Sequence, residues 1–253
     1  MRSSVERRSD ILELLQQTSS CRVEKLAQHF GVSSVTIRND LNSLEKQGYI
    51  TRSHGFAVLN SRLIAELSIA DKRNNYPELK QRIGKLAASL LKDEERVIFD
   101  SGTTTKAIVS HLNDLSLTIL TNGLDIAMEL VAYPNIEVRM TGGVLRKNAM
   151  SFSGVMADNN LRHYRFDKVF LGVDGFDLHK GVTTFNEQEA QLNRLMCEAA
   201  DQVIVVTDSS KFGQYSNYII CQADQIDVLI TDDKLPKNYR EYLENVGVKV
   251  LIA

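Results

Sequence analysis

The 253-residue chain contains no tryptophan, three prolines and three cysteines, and each scarcity excludes something. With no tryptophan and 7% aromatic residues, it has little with which to stack single-stranded bases. Cys21, Cys197 and Cys221 are odd in number and form no C-x-x-C pair, so neither a disulfide framework nor a zinc knuckle is expected. His29, His54, His111, His163 and His179 lack metal-ligand spacing, and there is no G-x-G-x-x-G, Walker loop or nucleophile elbow. No metal and no cofactor are therefore expected. No apolar run approaches the roughly 20 residues needed to cross a bilayer, so no membrane partner is expected. The opening residues, among them Arg2, Glu6, Arg7, Arg8 and Asp10, are too charged for a secretory signal. The cytoplasm is the expected compartment.

What is present is an ordinary core-forming composition, 43% hydrophobic and 25% charged, with no Pro, Gly or Ser tract. The length suits a small domain followed by a medium one. A net charge of -2 argues superficially against a nucleic-acid partner, but the charge is unevenly spread. Residues 1–57 hold eight Lys or Arg against six Asp or Glu, a balance of +2, which leaves -4 for the remainder. A weakly basic first segment is compatible with DNA binding without proving it.

Residues 1–57 read as three short helices and a hairpin. Ile11, Leu14 and Leu15 recur at helical spacing, as do Val23, Leu26, Ala27 and Phe30. Gly31 then stops the second helix, and Val32-Ser33-Ser34 supplies a tight turn with a hydroxyl cap for a third, from about Ser34 to Lys46. That helix buries Ile37, Leu41 and Leu44 and ends at Gly48. Strand-like runs at 49–52 and 56–59 flank Ser53-His54-Gly55. The sum is an α+β winged helix-turn-helix, its helix-turn-helix at about residues 21–40. A mixed polar stretch, 58–77, reads as a linker.

From 78 to 253 short apolar strands alternate with helical patterns, as in Val97-Ile98-Phe99 and Val203-Ile204-Val205-Val206. Continuous apolar strands covered on both faces imply an α/β domain with a mostly parallel sheet.

In a helix-turn-helix the early, outward residues of the recognition helix meet base edges. Here these are Val35, Thr36, Arg38 and Asn39. Arg38 suits guanine or phosphate, Asn39 suits adenine, and Val35 suits a thymine methyl. Ser33, Ser34 and the helix N-terminus suit a phosphate, and Arg52 and His54 of the wing suit the backbone or minor groove. The plainer alternative is a helical dimerisation module whose polar residues are merely solvated.

In the second domain, Asp100 ends a strand and Ser101-Gly102-Thr103-Thr104-Thr105 leads into a helix. A glycine for close approach, several hydroxyls and free N–H groups equip this segment to grip a phosphate or a sugar hydroxyl. Asn122, Gly142-Gly143, Asp174 and Lys211 follow other strands, and Glu187 opens a helix. Ligands of open α/β sheets sit beyond the carboxyl ends of the strands. Each residue alone is equally explained as a helix cap, a turn or a solvated lysine.

The run Ser34-Val35-Thr36-Ile37-Arg38-Asn39-Asp40-Leu41, with Leu44-Glu45-Lys46-Gln47-Gly48 and Arg52-Ser53-His54-Gly55, resembles the N-terminal signature of the DeoR family of bacterial sugar-catabolism regulators. Asp100-Ser101-Gly102-Thr103-Thr104-Thr105, Thr121-Asn122, Gly142-Gly143, Leu171-Gly172-Val173-Asp174-Gly175, Gly181-Val182-Thr183-Thr184 and Asp208-Ser209-Ser210-Lys211-Phe212 resemble that family's effector-domain motifs, in the same order. Phe56 departs from the family, which usually has a second glycine there.

The resemblance implies a sugar-phosphate site in a domain similar to ribose-5-phosphate isomerase. It also implies a repressor of a sugar or hexitol operon, bound to double-stranded operator DNA as a homo-oligomer and released by a phosphorylated sugar or polyol. An isomerase-like enzyme is the main alternative, with Asp100, Asp174 and Glu187 as its available carboxylates. Gly175, however, stands where the isomerases carry an acidic residue, so no enzyme is expected. An activator of the same architecture would differ only in sign.

Overall fold

The computed structural model describes residues 4–18, 20–46, 50–53, 55–59 and 68–253. The chain divides into two compact units, Met1–Asn75 and Tyr76–Ala253.

In the first unit, helices α1 (Ser4–Thr18), α2 (Val23–Phe30) and α3 (Ser34–Lys46) enclose a core of Ile11, Leu15, Val23, Leu26, Ile37, Leu41 and Leu44. These are the residues set at helical spacing. Gly31 closes α2 in the left-handed region (φ +64°), where a side chain would be strained, and its N–H and that of Val32 bond back to the last turn. Ser33 caps α3 by accepting the Thr36 N–H at 3.1 Å. Strand β1 (Ser20–Arg22), absent from the sequence reading, pairs with β3 (Phe56–Leu59), which pairs in turn with β2 (Ile50–Ser53). Three residues are too few to show an alternation, and their partners lie far along the chain. Phe56, the departure from the family pattern, lies under the Arg22 guanidinium at 4.9 Å.

The region expected as a linker contains helix α4 (Ile69–Asn74), capped by the Ser68 hydroxyl, with Ile69 buried. Its polar residues had hidden it. Helix α5 (Pro77–Ala88) then opens the second unit, with proline at its first position, where no amide donor is needed.

The second unit is built on a seven-stranded, all-parallel sheet, with β4 (Arg96–Phe99), β5 (Leu117–Thr121), β6 (Ile136–Met140), β9 (Phe166–Leu171), β12 (Ala200–Val206), β14 (Val228–Thr231) and β15 (Lys249–Ile252) ordered β15-β14-β12-β9-β4-β5-β6. Apolar clusters cover both faces. On one, α5, α6 (Thr103–Val109) and α7 (Leu124–Leu130) pack around Ile83, Phe99, Ile108 and Ile126. On the other, α8 (Val155–Leu161) and α9 (Glu187–Ala199) pack around Ile98, Leu161, Leu192 and Met196. Helix α10 (Lys237–Asn245) precedes the last strand.

The mostly parallel α/β expectation is met. The sequence reading missed two small antiparallel sheets, one of β7 (Val144–Arg146) and β8 (Ser151–Ser153), the other of β10 (Gly175–Asp177), β11 (Gly181–Thr184) and β13 (Tyr218–Cys221). Their three- and four-residue strands lie inside segments that read as polar loops.

The connections set the position of the site. From β4 the chain proceeds to β5 and β6 on one side, and from β9 to β12, β14 and β15 on the other. Adjacent strands whose connections diverge leave a crevice at their carboxyl ends. Asp100 and Gly172 lie there, one after each strand.

Candidate functional site

The first candidate surface is the outer face of α3. Ile37, Asp40, Leu41 and Leu44 are buried, whereas Val35, Arg38, Asn39 and Asn42 are exposed, and Thr36 and Ser34 are half-buried. The helix thus presents Val35, Arg38 and Asn39 outward because its apolar residues recur every three to four positions. Ser33 and Thr36 join their hydroxyls at 2.9 Å at its N-terminus. Arg52 is held to α3 from the wing, its N–H donating to Glu45 Oε1 at 3.0 Å and its guanidinium donating to Asn42 Oδ1. His54 lies outside the described residues. A buried ion pair, Arg7 Nε to Asp40 Oδ2 at 2.6 Å, ties α1 to the inner side of α3. Sequence reasoning missed it, because Asp40 reads as one more polar helix residue.

The second candidate site is the crevice at β4 and β9. Asp100 is buried, and its Oδ2 accepts the Gly172 N–H at 3.3 Å. The two loops meet closely at Gly172 and Gly102. A Cβ added at Gly172 would lie 3.3 Å from the Gly102 Cα, 3.3 Å from Asp100 Oδ2 and 3.4 Å from Thr105 Oγ1. Gly102 caps α6, and Thr104 and Thr105 are buried in its first turn while Ser101 and Thr103 are half-exposed. Thr105 Oγ1 and Asn122 Oδ1 are both fully enclosed, and neither has a hydrogen-bond partner among the described residues. A buried polar atom without a partner costs stability, unless a water or ligand satisfies it.

Burial raises the Asp100 carboxyl to about 7, and the nearby carboxylates of Glu189 and Asp174 add to the rise. The N–H donors of Ser101 and Gly172 oppose it. Asp174 accepts the Thr184 hydroxyl at 2.8 Å. Glu189, buried in the first turn of α9, accepts the Ser151 hydroxyl at 2.5 Å and pairs with Arg146. Arg146, Ser151 and Glu189 were all missed by sequence reasoning. Ser151 and Glu189 lie 38 positions apart, on a hairpin and a helix that no sequence pattern links.

Not every expected residue converges. Glu187 is exposed; the inward carboxylate of α9 is Glu189, two residues and about 200° further round the helix. Glu187 itself stands at the exposed first position of the helix. Gly142 and Gly143 (φ +67° and +106°) shape the entry to the β7–β8 hairpin, where a Cβ at Gly143 would lie 2.5 Å from the Ser153 carbonyl oxygen. Steric demand therefore accounts for Gly143 without a ligand. Asn122 fastens the same hairpin, its carbonyl accepting the Phe152 N–H at 2.7 Å. Lys211 is half-buried in a short turn, Ser209–Lys211, after β12. That turn is organised by Asp208 Oδ1, which accepts the Ser210 N–H at 3.1 Å.

Three cysteines are free thiols, and Cys197 and Cys221 are hydrogen-bonded to each other, which with burial raises the Cys197 thiol. They are part of the packing between α9 and β13. Among the described residues no group of three or more His, Cys, Asp or Glu side chains is placed to hold a metal, and no helix is long and apolar enough to cross a membrane.

A helix-turn-helix with a wing, followed by a parallel α/β domain with a polar crevice at its switch point, defines a two-part transcriptional regulator. Comparison with known proteins gives the family. Residues 7–63 match the DeoR-like helix-turn-helix domain and residues 75–233 the DeoR C-terminal sensor domain. The chain belongs to the DeoR family of transcriptional regulators. It is 43% identical over 98% of its length to a candidate aga operon transcriptional repressor of Escherichia coli O157:H7, of which 93% is covered. It is 35% identical to the regulator GolR of Listeria innocua, with 98% of each chain covered. It is also 35% identical to the transcriptional repressor GlcR of Bacillus subtilis, over 98% of this chain and 96% of that one. These homologues are regulators, not enzymes, and the chain is a DNA-binding regulator through its helix-turn-helix. Among solved structures, ribose 5-phosphate isomerase A of Methanocaldococcus jannaschii matches 55% of each chain at 18% identity, with a TM-score of 0.41.

Proposed function

We propose that the protein represses a carbohydrate operon, for a sugar or a hexitol, and leaves its operator when the second unit binds a phosphorylated sugar or polyol. In this reading residues 1–57 read DNA, 58–77 link, and 78–253 sense the effector and hold the copies of a homo-oligomer together, in the cytoplasm. Ser33, Ser34, Val35, Thr36, Arg38, Asn39, Arg52 and His54 form the DNA surface. The effector lies over Asp100, Ser101, Gly102, Thr103, Thr104 and Thr105, reaching towards Asn122, Gly142, Gly143, Asp174, Glu187 and Lys211, with Glu189 buried behind them.

The observation that carries the proposal is the enclosed Thr105 hydroxyl without a partner, beside a buried carboxyl and two glycines at the switch point. A ligand hydroxyl or phosphate oxygen would supply the missing bond. The names of two of the relatives described above include the word repressor, which supports the sign. Release requires that the effector bind the DNA-incompetent arrangement more tightly; about 100-fold weaker operator binding corresponds to roughly 3 kcal/mol of coupling.

The test is a salt titration of binding to DNA upstream of the operon adjoining the protein's own gene. Specific, salt-sensitive binding that falls about 10- to 100-fold with Arg38→Ala is expected. Binding unchanged by that substitution contradicts the assignment of α3. A reporter gene that loses expression when the protein is removed would make it an activator.

A further inference from the structure

We infer that the second unit forms a two-fold symmetric dimer by joining strand β6 to β6 of a second copy, antiparallel and centred on Val138. Strand β6 ends the sheet, and no strand among the described residues pairs with its outer side. Its backbone directions follow from two hydrogen bonds: the Leu117 N–H donates to the Asn135 carbonyl at 3.3 Å, and the Thr141 N–H to the Thr121 carbonyl at 3.1 Å. Residues 135, 137, 139 and 141 therefore turn their backbone groups towards β5. By alternation, Ile136, Val138 and Met140 turn theirs to the open edge. The Ile136 N–H is taken by the Tyr133 carbonyl, which leaves both groups of Val138, both of Met140 and the carbonyl of Ile136.

Placed on a two-fold axis at Val138, these groups match their own copies. Each Val138 N–H meets the other Val138 carbonyl, and each Met140 N–H meets the other Ile136 carbonyl. The same axis sets Glu137 opposite the partner's Arg139 in a non-hydrogen-bonded pair, where facing side chains approach most closely. Within one chain these two already form an ion pair at 2.9 Å on one face of the strand, and Arg139 holds the Glu137 carboxyl below its ordinary range. The strand is thus self-complementary in hydrogen bonding and in charge, as an isologous interface requires.

The helices beside this edge expose apolar surface. Lys106 of α6 reaches Asp125 and Glu129 of α7 at 3.4 and 3.3 Å, so those residues mark the flank of α7 nearest α6. Met128 and Val131, 67% and 80% exposed, lie off the buried face formed by Ile126, Ala127 and Leu130. On the opposite face, α8 exposes Val155 and Met156, 74% and 67%. A second copy paired through β6 would cover both flanks. A charged residue pair on an edge strand is also a common guard against pairing, and the test separates the two roles.

The test is sedimentation velocity of the full chain at micromolar concentration, without DNA. The wild type should be a dimer or a multiple of one. Glu137→Arg, which opposes two arginines across the axis, should weaken association at least about tenfold, and Glu137→Arg with Arg139→Glu should restore it. Val138→Pro removes only an outward N–H and should also weaken association while keeping the β5 pairing; circular dichroism checks that each variant is folded. A monomeric wild type, association unchanged by Glu137→Arg and Val138→Pro, or a folded double variant that stays dissociated would each overturn the inference.

Discussion

Asp100 Oδ2 accepts the Gly172 N–H at 3.3 Å, fastening the carboxyl end of β4 to that of β9, where the connections of the sheet part. The carboxyl doing this is enclosed and faces two other carboxylates, Glu189 and Asp174. A structural bond and a chemical tension therefore meet in one residue.

Stability should depend on pH through Asp100. Its folded pKa, about 7, lies above the ordinary value of 3.8, so the folded state holds a proton that the unfolded state has lost. The Asp100 contribution is complete below about pH 4 and declines until about pH 7. Asp100→Asn removes the ionisation and keeps an acceptor for Gly172. The variant's advantage over wild type should grow from pH 4 to pH 7, reaching on the order of 2–4 kcal/mol. Urea unfolding of both proteins across that range measures it; a difference independent of pH would place Asp100 in a different environment.

Removing the cation at Arg146 should be costly. Arg146→Met leaves Glu189 enclosed without its ion-pair partner, beside Asp100 and Asp174. The expected loss is about 2–4 kcal/mol, with much of it recovered when Glu189→Gln is added. Thermal unfolding of the two variants decides this. No recovery in the pair would mean that Arg146 acts through packing.

A similar argument applies to the DNA-reading unit. Arg7→Met strands Asp40 on the inner side of α3 and should cost about 3 kcal/mol. The loss should be visible as a lower unfolding midpoint for that unit and, through its smaller folded population, as weaker operator binding. If Arg7→Met leaves the midpoint in place, the pair does not hold α3.

Much of this architecture was legible in the sequence because neighbouring residues encode it. Gly31 and Ser33 delimit α3, and apolar runs such as Val203-Ile204-Val205-Val206 mark the parallel strands. What was not legible depends on distant partners. The three-residue strand β1 is defined only by Phe56, Ala57 and Val58 opposite it. Glu189 rather than Glu187 is the buried carboxylate near Asp100 because helix packing fixes the rotation of α9, and its partners Arg146 and Ser151 arrive from a hairpin hidden in a loop-like segment. Asp100 and Gly102 were readable as a strand end turning into a helix, because a glycine followed by hydroxyl residues marks such a turn.

The most direct measurement of the central claim is operator binding by fluorescence anisotropy during titration with a panel of sugar and polyol phosphates, for wild type and Thr105→Val. Valine keeps the shape of Thr105 and removes the hydroxyl that has no partner among the described residues. The predicted result is that one phosphorylated compound releases wild-type protein from DNA and that Thr105→Val needs about tenfold more of it, with unchanged operator affinity in its absence. If no member of the panel alters binding, or if Thr105→Val responds as wild type does, the crevice between β4 and β9 is not the effector site.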